Sequence, residues 1–478
     1  MASTSTRADP VLGPQLLTEW DAGLRSADPL GFAGYEPPRA ADEAVTTGLA
    51  LVDGREVALI RSRFDRHGGT MSAAVGERVV RALRRATDRR LPVVEIVASG
   101  GARLQEGMFA LVQMARTASA ARAHADAGLL SLAVYRSPTT GGVYASWGSF
   151  PDLRAAEPGA TIGFGGPRVV KQVTGEWPPK TSHTAESAYR HGLVDALVPE
   201  PEQLGWLSAA LGGRPRPLNP PSGRAHHPDD SDLPSDPWAV LSRARGRRRP
   251  SGLEWAAWLT ESWVDLRGRD PAVRAGLASI GGLRTVVVAM DRHARGDGGA
   301  RPDAAGFRLA QRAVRLADRL RLPVLTLVDT PGAEPGPAAE SDGVAGEIAG
   351  TLLAMAGCRT PTVALCVGEG GSGGAMALAH TDRLLMLSGA VFSVIGPEAA
   401  SMILYRDPGR AAELASAMRI TAKDLHALGL IDGVVPESGP DAVRVVRDAV
   451  AQALAAATVG DRDRRTAAAT VRALSDAA

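Results

Sequence analysis

The stretch Leu91-Pro92-Val93-Val94-Glu95-Ile96-Val97-Ala98-Ser99-Gly100-Gly101-Ala102 returns later in the chain as Leu322-Pro323-Val324-Leu325-Thr326-Leu327-Val328-Asp329-Thr330-Pro331-Gly332-Ala333. In each copy a Val/Leu/Ile-rich run of strand length follows a proline and ends in a turn of small residues. Outward from this pair the correspondence continues. An arginine-rich helical pattern precedes each copy, at residues 79–90 and 311–321. Downstream, Thr140-Gly141-Gly142-Val143 matches Gly373-Gly374-Ala375, and Phe164-Gly165-Gly166-Pro167 matches Val394-Ile395-Gly396-Pro397. Gly192-Leu193-Val194-Asp195 and the residues after it match Gly429-Leu430-Ile431-Asp432 and its continuation. Five blocks in one order, at offsets between 230 and 237, mark a tandem duplication of a unit of about 200 residues.

Within each unit short apolar strands alternate with helical patterns. Residues 91–97 and 323–328 read as first strands, followed by helices over 108–123 and 344–355; residues 130–135 and 362–367 read as second strands, each leading through a Gly-Gly turn into another helix. Such repetition predicts an α/β fold with a mostly parallel, helix-covered sheet in each unit. Residues 212–237, crowded with Pro, Gly, Ser and Asp, read as the linker; the pair His226-His227 with Asp229-Asp230 reads there as a solvated loop in preference to a metal site.

Composition narrows the function classes. The formal net charge is +2 and aromatics make up 4% of the 478 residues, which leaves no electrostatic or base-stacking case for nucleic acid. The two cysteines, Cys358 and Cys366, have no metal-ligand spacing, and Cys366 lies in an apolar run that predicts a buried thiol. Residues 1–10 lack the apolar core of a signal peptide, and no apolar run approaches the roughly 18 residues of a membrane span, so a soluble cytoplasmic protein without membrane or metal is expected.

The glycine turns carry the chemistry. Peptide N–H groups in the first turn of a helix have no intrahelical acceptor, and glycine lets a ligand approach the backbone; together they make an oxyanion hole. Each unit supplies two such loops: residues 99–103 with 139–143, and residues 329–333 with 368–375. The second pair also contains Gly368, Gly370 and Gly373 in a G-x-G-x-x-G pattern. However, the acidic residue that a dinucleotide site wants about 20 positions on is missing, and no lysine completes a P-loop. Gly370, Ser372 and Gly374 fit a nucleophile elbow, with His380 and His426 downstream but no evident acid, so Ser372 stands as a loop hydroxyl near a ligand. Asp195 and Asp432 read as turn residues, and His191 and His426 as surface or packing histidines.

At these residues the chain resembles a known family. Asp28-Pro29-Leu30-Gly31-Phe32 with Tyr35, Gly68-Gly69-Thr70-Met71-Ser72, residues 99–107, 138–143 and 156–168 look like the β subunit of bacterial acetyl-CoA carboxylase carboxyltransferase. Residues 328–333, 368–375, 405–413 and Ile420-Thr421-Ala422 look like the α subunit. The four-cysteine zinc ribbon that often opens the β subunit has no counterpart here, and fusion of the halves is a second departure.

The resemblance implies a crotonase-like fold in each half and transfer of a carboxyl group from carboxybiotin, on a separate carrier protein, to an acyl-CoA. By the resemblance, residues 28–211 bind CoA and use Gly141 and Gly142, supported by Gly101 and Ala102. Residues 238–455 bind biotin and use Gly373 and Gly374, supported by Gly332 and Ala333. Residues 1–27 and 456–478 become terminal segments. Substrate-binding roles fall on Arg103, Gly165, Gly166, Arg168 and Ala375. The implied partners are a biotin carboxyl carrier protein, a biotin carboxylase component and further copies of the chain. Acetyl-CoA, giving malonyl-CoA, is the expected acceptor; a longer acyl-CoA such as propionyl-CoA, an acyl-CoA decarboxylase, a hydrolase using Ser372 and a non-catalytic scaffold are the alternatives.

Overall fold

Every residue of the two repeated strands, Val93–Ser99 and Val324–Thr330, is buried. A strand apolar on both faces needs partners at both edges and cover on both sides, the situation of a central strand in a parallel sheet. The computed structural model describes residues 13–221, 233–296 and 299–474 and places each repeated strand at the middle of its own sheet. The chain divides into two units at Arg214 and Pro215. Residues 1–10 and the segment His226-His227 with Asp229-Asp230 lie outside the described residues.

The first unit contains β1 (Gln15–Trp20), β2 (Val45–Val52), β3 (Arg55–Ser62), β4 (Val93–Ser99), β5 (Ser131–Thr140), β6 (Leu153–Ala156), β7 (Ile162–Gly163) and β8 (Ala196–Leu197). They pair in the order β1-β2-β3-β4-β5-β6-β8, with β7 on the end of β5. The second unit contains β9 (Ser262–Leu266), β10 (Val273–Ile280), β11 (Leu283–Met290), β12 (Val324–Thr330), β13 (Thr362–Gly371), β14 (Arg383–Leu387), β15 (Val391–Ser393) and β16 (Gly433–Val435). Its order, β9-β10-β11-β12-β13-β14-β16 with β15 on β13, repeats the first. In each, the first three strands are antiparallel and the rest parallel. The expected α/β duplication is therefore present down to strand order.

Matching helices cover matching faces. Ala73–Asp88 starts at Ser72, whose side chain accepts the Val75 N–H, and Ala304–Leu320 starts at Asp303, whose carboxylate accepts the N–H groups of Ala305 and Gly306. Such caps each contribute about 1 kcal/mol. Val75, Val79, Leu83 and Ala86 turn inward on the first helix; Phe307, Ala310, Val314 and Ala317 do so on the second. The helix expected over 108–123 is broken into Met108–Leu111 and Gln113–Asp126. At the break the Gln113 side chain donates to Phe109 O at 3.0 Å, taking the carbonyl that its own N–H would use.

Asp195 and Asp432 do more than shape turns. Each carboxylate accepts a backbone N–H from the neighbouring strand segment, Arg154 at 2.8 Å and Leu384 at 2.7 Å. His191 and His426 are exposed, and both cysteines are buried. The C-terminal segment carries a helix, Asp461–Ala473, held by the buried Arg462, which donates to Cys358 O and Thr362 Oγ1. Among the described residues no helix is long and apolar enough to cross a membrane, and no three His, Cys, Asp or Glu gather as metal ligands.

Candidate active sites

In the first unit the loop after β4 meets the end of β5. Three backbone bonds strap this loop to residues 68–71: Gly100 N–H to Gly68 O at 2.9 Å, Met71 N–H to Gly101 O at 2.8 Å and Arg103 N–H to Met71 O at 2.8 Å. The match of Gly68-Gly69-Thr70-Met71-Ser72 to the β subunit thus marks a support of the loop. Gly101 has φ +116° and Gly141 φ +63°, and a Cβ on Gly141 would lie 2.7 Å from Gly101 Cα, so the two backbones touch where no other residue fits.

Two of the four expected donors in this unit are already engaged. Gly101 N–H donates to Ser99 Oγ at 3.0 Å and Gly141 N–H to Phe164 O at 2.9 Å. The peptide N–H groups of Ala102 and Gly142 remain without an acceptor among the described residues, and a Cβ on Gly142 would stand 3.7 Å from Ala102 N. Gly101 and Gly141 thus shape the contact between the two loops, and Ala102 and Gly142 are the two whose N–H groups stay available.

The second unit repeats the arrangement with one shift. Val93 pairs with Ser131 and Val324 with Thr362, while Ser99 pairs with Thr139 and Thr330 with Gly370, an offset of 231 in every case. Gly141 therefore corresponds to Ser372 and Gly142 to Gly373, which corrects the Gly-Gly to Gly-Gly match read from the sequence. Ser372 has φ +59°, the left-handed turn that Gly141 makes. Gly332 N–H donates to Thr330 Oγ1 at 3.1 Å, as Gly101 N–H does to Ser99, leaving Ala333 and Gly373 N–H as the matching donors. Gly374 packs the helix Ser372–Ala379 against the loop: its Cβ would lie 2.7 Å from Ala333 N.

These donors open on a cleft of about 960 Å³ lined by Gly332, Ala333, Ser372, Gly373 and Gly374 together with Arg245, Arg292, Arg301, Glu369 and Glu398. The volume suits a cofactor-sized ligand. Glu369 is buried and takes Arg245 through both carboxylate oxygens, at 2.9 and 2.6 Å, and Arg245 reaches Glu398 at 2.5 Å. Burial pushes the Asp329 carboxyl up to about 6, against the pull of the Arg292 guanidinium 3.4 Å away. Among the described residues no histidine lines the cleft beside Ser372, and His380 sits eight residues along, about 12 Å by helical rise, facing Asp463 at 3.8 Å.

The other expected substrate-binding positions have the following surroundings. Arg103 is buried, with its guanidinium on Glu43 at 3.1 Å and Glu106 at 3.4 Å and a bond to the Tyr35 hydroxyl, so it braces the loop. Ala375 is fully buried inside its helix. Gly165 and Gly166 lead into the helix Pro167–Thr174, with Gly166 as its cap, and Arg168 on its first turn is exposed. The Arg245, Glu369 and Glu398 cluster escaped sequence reasoning because its members lie 124 and 153 positions apart.

The comparisons agree with this division. A family described as "Carboxyl transferase domain" matches residues 27–201, and one described as "Acetyl co-enzyme A carboxylase carboxyltransferase-like" matches residues 233–469. The protein of Salinispora arenicola named acetyl-coenzyme A carboxylase carboxyl transferase subunits beta/alpha is 41% identical, over 93% of this chain and 85% of its own length. The probable biotin-dependent acyl-coenzyme A carboxylase beta3 subunit of Mycobacterium tuberculosis is 40% identical over 86% of this chain and 83% of its own. In fold, transcarboxylase 12S, solved as a hexamer with methylmalonyl-coenzyme A bound, superimposes with a TM-score of 0.77 at 21% identity, covering 93% of this chain and 88% of that one. The chain belongs to the acetyl-CoA carboxylase carboxyltransferase family, with a β-type half and an α-type half in one polypeptide.

Proposed function

We propose that this chain moves the carboxyl group from carboxybiotin, borne on a separate carrier protein, to acetyl-CoA, giving malonyl-CoA. The observation that carries the reading is the pair of matching loops, each leaving two peptide N–H groups unused at the end of a buried strand. A reaction with two developing oxyanions needs two such sets. In the first unit Ala102 and Gly142 N–H would stabilise the thioester oxygen as loss of the α-proton turns it into an enolate oxygen. In the second unit Ala333 and Gly373 N–H would hold the ureido oxygen, and the cleft has room for the bicyclic ring. When bound, carboxybiotin supplies the carboxyl group and, through the ring nitrogen freed in transfer, the base for the α-proton. Fixed donors aimed at such charge contribute about 2.7–4 kcal/mol each to transition-state stabilisation.

A biotin carboxylase component and a biotin carboxyl carrier protein would supply the carboxylated carrier. A homo-oligomer with sites shared between copies follows the hexamer described for transcarboxylase 12S. A longer acyl-CoA is the second reading, favoured by the acyl-coenzyme A carboxylase relative from M. tuberculosis and by the methylmalonyl-coenzyme A of the transcarboxylase structure. The test is the rate of carboxyl transfer from carboxybiotin to acetyl-CoA, propionyl-CoA and longer acyl-CoAs. Highest kcat/KM with acetyl-CoA supports the first reading, a longer acyl-CoA the second, and no transfer to any of them overturns both.

A further inference from the structure

The cleft of the second unit holds three arginines, and they are not equivalent. Arg245 is clasped by Glu369 and Glu398. Arg292 is buried against Asp329 and the Ala244 carbonyl. Arg301 has no ion-pair or hydrogen-bond partner for its guanidinium among the described residues, although it lines the same cleft as Ala333 and Gly373.

Its position is built. On one side Ala300 is buried and donates its N–H to Arg292 O at 3.0 Å; on the other, Pro302 O accepts the Glu334 N–H at 2.8 Å, and Asp303 caps the helix Ala304–Leu320. With both neighbours bonded, the backbone that carries the side chain is held at the cleft. The guanidinium rests over the donor loop, where a Cβ on Gly332 would stand 3.1 Å from Arg301 Nη1. The nearby Glu334 is turned toward Arg295, at 3.6 Å. A planar cation held beside peptide donors, with no carboxylate of its own, is matched to an incoming carboxylate, which it can take through two parallel hydrogen bonds.

We propose that Arg301 is the anion anchor of this cleft, holding the carboxylate carried on the ureido ring while the Ala333 and Gly373 N–H groups face the ureido oxygen. The inference rests on reading the second unit as the carboxybiotin site. It makes Arg301 a binding residue that tells the carboxylated ring from the bare one.

The experiment compares two ligands on the full chain by ligand-observed NMR titration: biotin, and N1-carboxymethylbiotin as a stable carboxylate-bearing stand-in. The wild-type chain should bind the carboxylate analogue more tightly. Arg301→Gln should weaken the analogue at least about tenfold and biotin less than about twofold, and Arg301→Lys should fall between, because charge survives without the planar fork. Equal weakening of both ligands, or none, overturns the anchor and leaves the biotin reading standing. A folded wild-type chain that binds neither ligand overturns the biotin reading and the anchor with it.

Discussion

Ser372 stands in the second unit where Gly141 stands in the first. Each follows the last residue of a long central strand, each starts a helix, and each has a left-handed φ, +59° and +63°. A serine there bears a backbone cost of about 1–2 kcal/mol that glycine avoids. It also produces the G-x-S-x-G outline of a nucleophile elbow, with no histidine beside it in the cleft among the described residues.

The first prediction follows from the lining of that cleft. Ser372→Ala and Ser372→Gly should both keep carboxyl transfer within about tenfold of the wild-type chain. If Ser372 were a nucleophile, either change should remove a factor on the order of 10³ or more. Transfer rates and thioester hydrolysis, measured on both variants, separate the two.

The second prediction sets adjacent glycines against each other. A Cβ on Gly142 would meet Met114 Sδ at 3.5 Å and one on Gly373 would meet Ile348 Cγ2 at 3.9 Å, both ordinary contacts. On Gly374 it would lie 2.7 Å from Ala333 N. Helix propensity alone favours alanine over glycine by about 1 kcal/mol, but a backbone clash at the donor loop outweighs it. Gly142→Ala and Gly373→Ala should therefore lose less than about tenfold in kcat. Gly374→Ala should lose about 10²–10³-fold with CoA affinity unchanged, since Ala333 N–H is displaced. Near-normal transfer by Gly374→Ala would remove Ala333 from the donor set.

Much of this was legible in the sequence because duplication prints the same constraint twice. The strands Val93–Ser99 and Val324–Thr330 fall within two residues of the expected runs 91–97 and 323–328, while the helices before them, Ala73–Asp88 and Ala304–Leu320, start six and seven residues ahead of the expected 79 and 311. The register at Ser372 was not legible, since two glycines aligned with two glycines look right until strand pairing fixes the offset. Nor was the role of Arg103, whose partners Glu43 and Tyr35 lie 60 and 68 positions away. Long-range ion pairs leave no periodic trace, and Arg245 with Glu369 and Glu398, and Arg292 with Asp329, bring such pairs to the second cleft.

The third prediction concerns pH and Glu95. This carboxyl sits at the centre of β4, fully buried, with Oε2 unpartnered among the described residues, and burial holds its pKa well above the ordinary 4.5. Below about pH 4.5 the folded and unfolded forms both carry the proton and the group is neutral toward stability. As pH rises the unfolded chain ionises while the folded chain holds its proton, so wild-type stability falls. Glu95→Gln cannot ionise, so its stability relative to wild type should rise between pH 5 and pH 8, by about 1 kcal/mol or more. Denaturant unfolding at the two pH values is the measurement, and a gap that shrinks with rising pH would show that Glu95 is ionised in the fold.

The last prediction concerns assembly. If the first-unit site of one copy works with the second-unit site of another, each copy brings half of two active sites, and damage in different units can be sorted by exchange. Gly142→Val adds methyl groups toward Ala102 N and should lose about 3 kcal/mol or more of transition-state stabilisation. Gly374→Val drives side-chain atoms into the Ala333 loop and should be inactive as well. Mixed, the two inactive chains should recover activity, because a mixed assembly can bring an intact first unit of one chain to an intact second unit of the other. Exchange is verified independently by mass spectrometry of differently tagged chains, and assembly by light scattering. A monomer, or proven exchange with no recovery, would place each complete reaction within one chain.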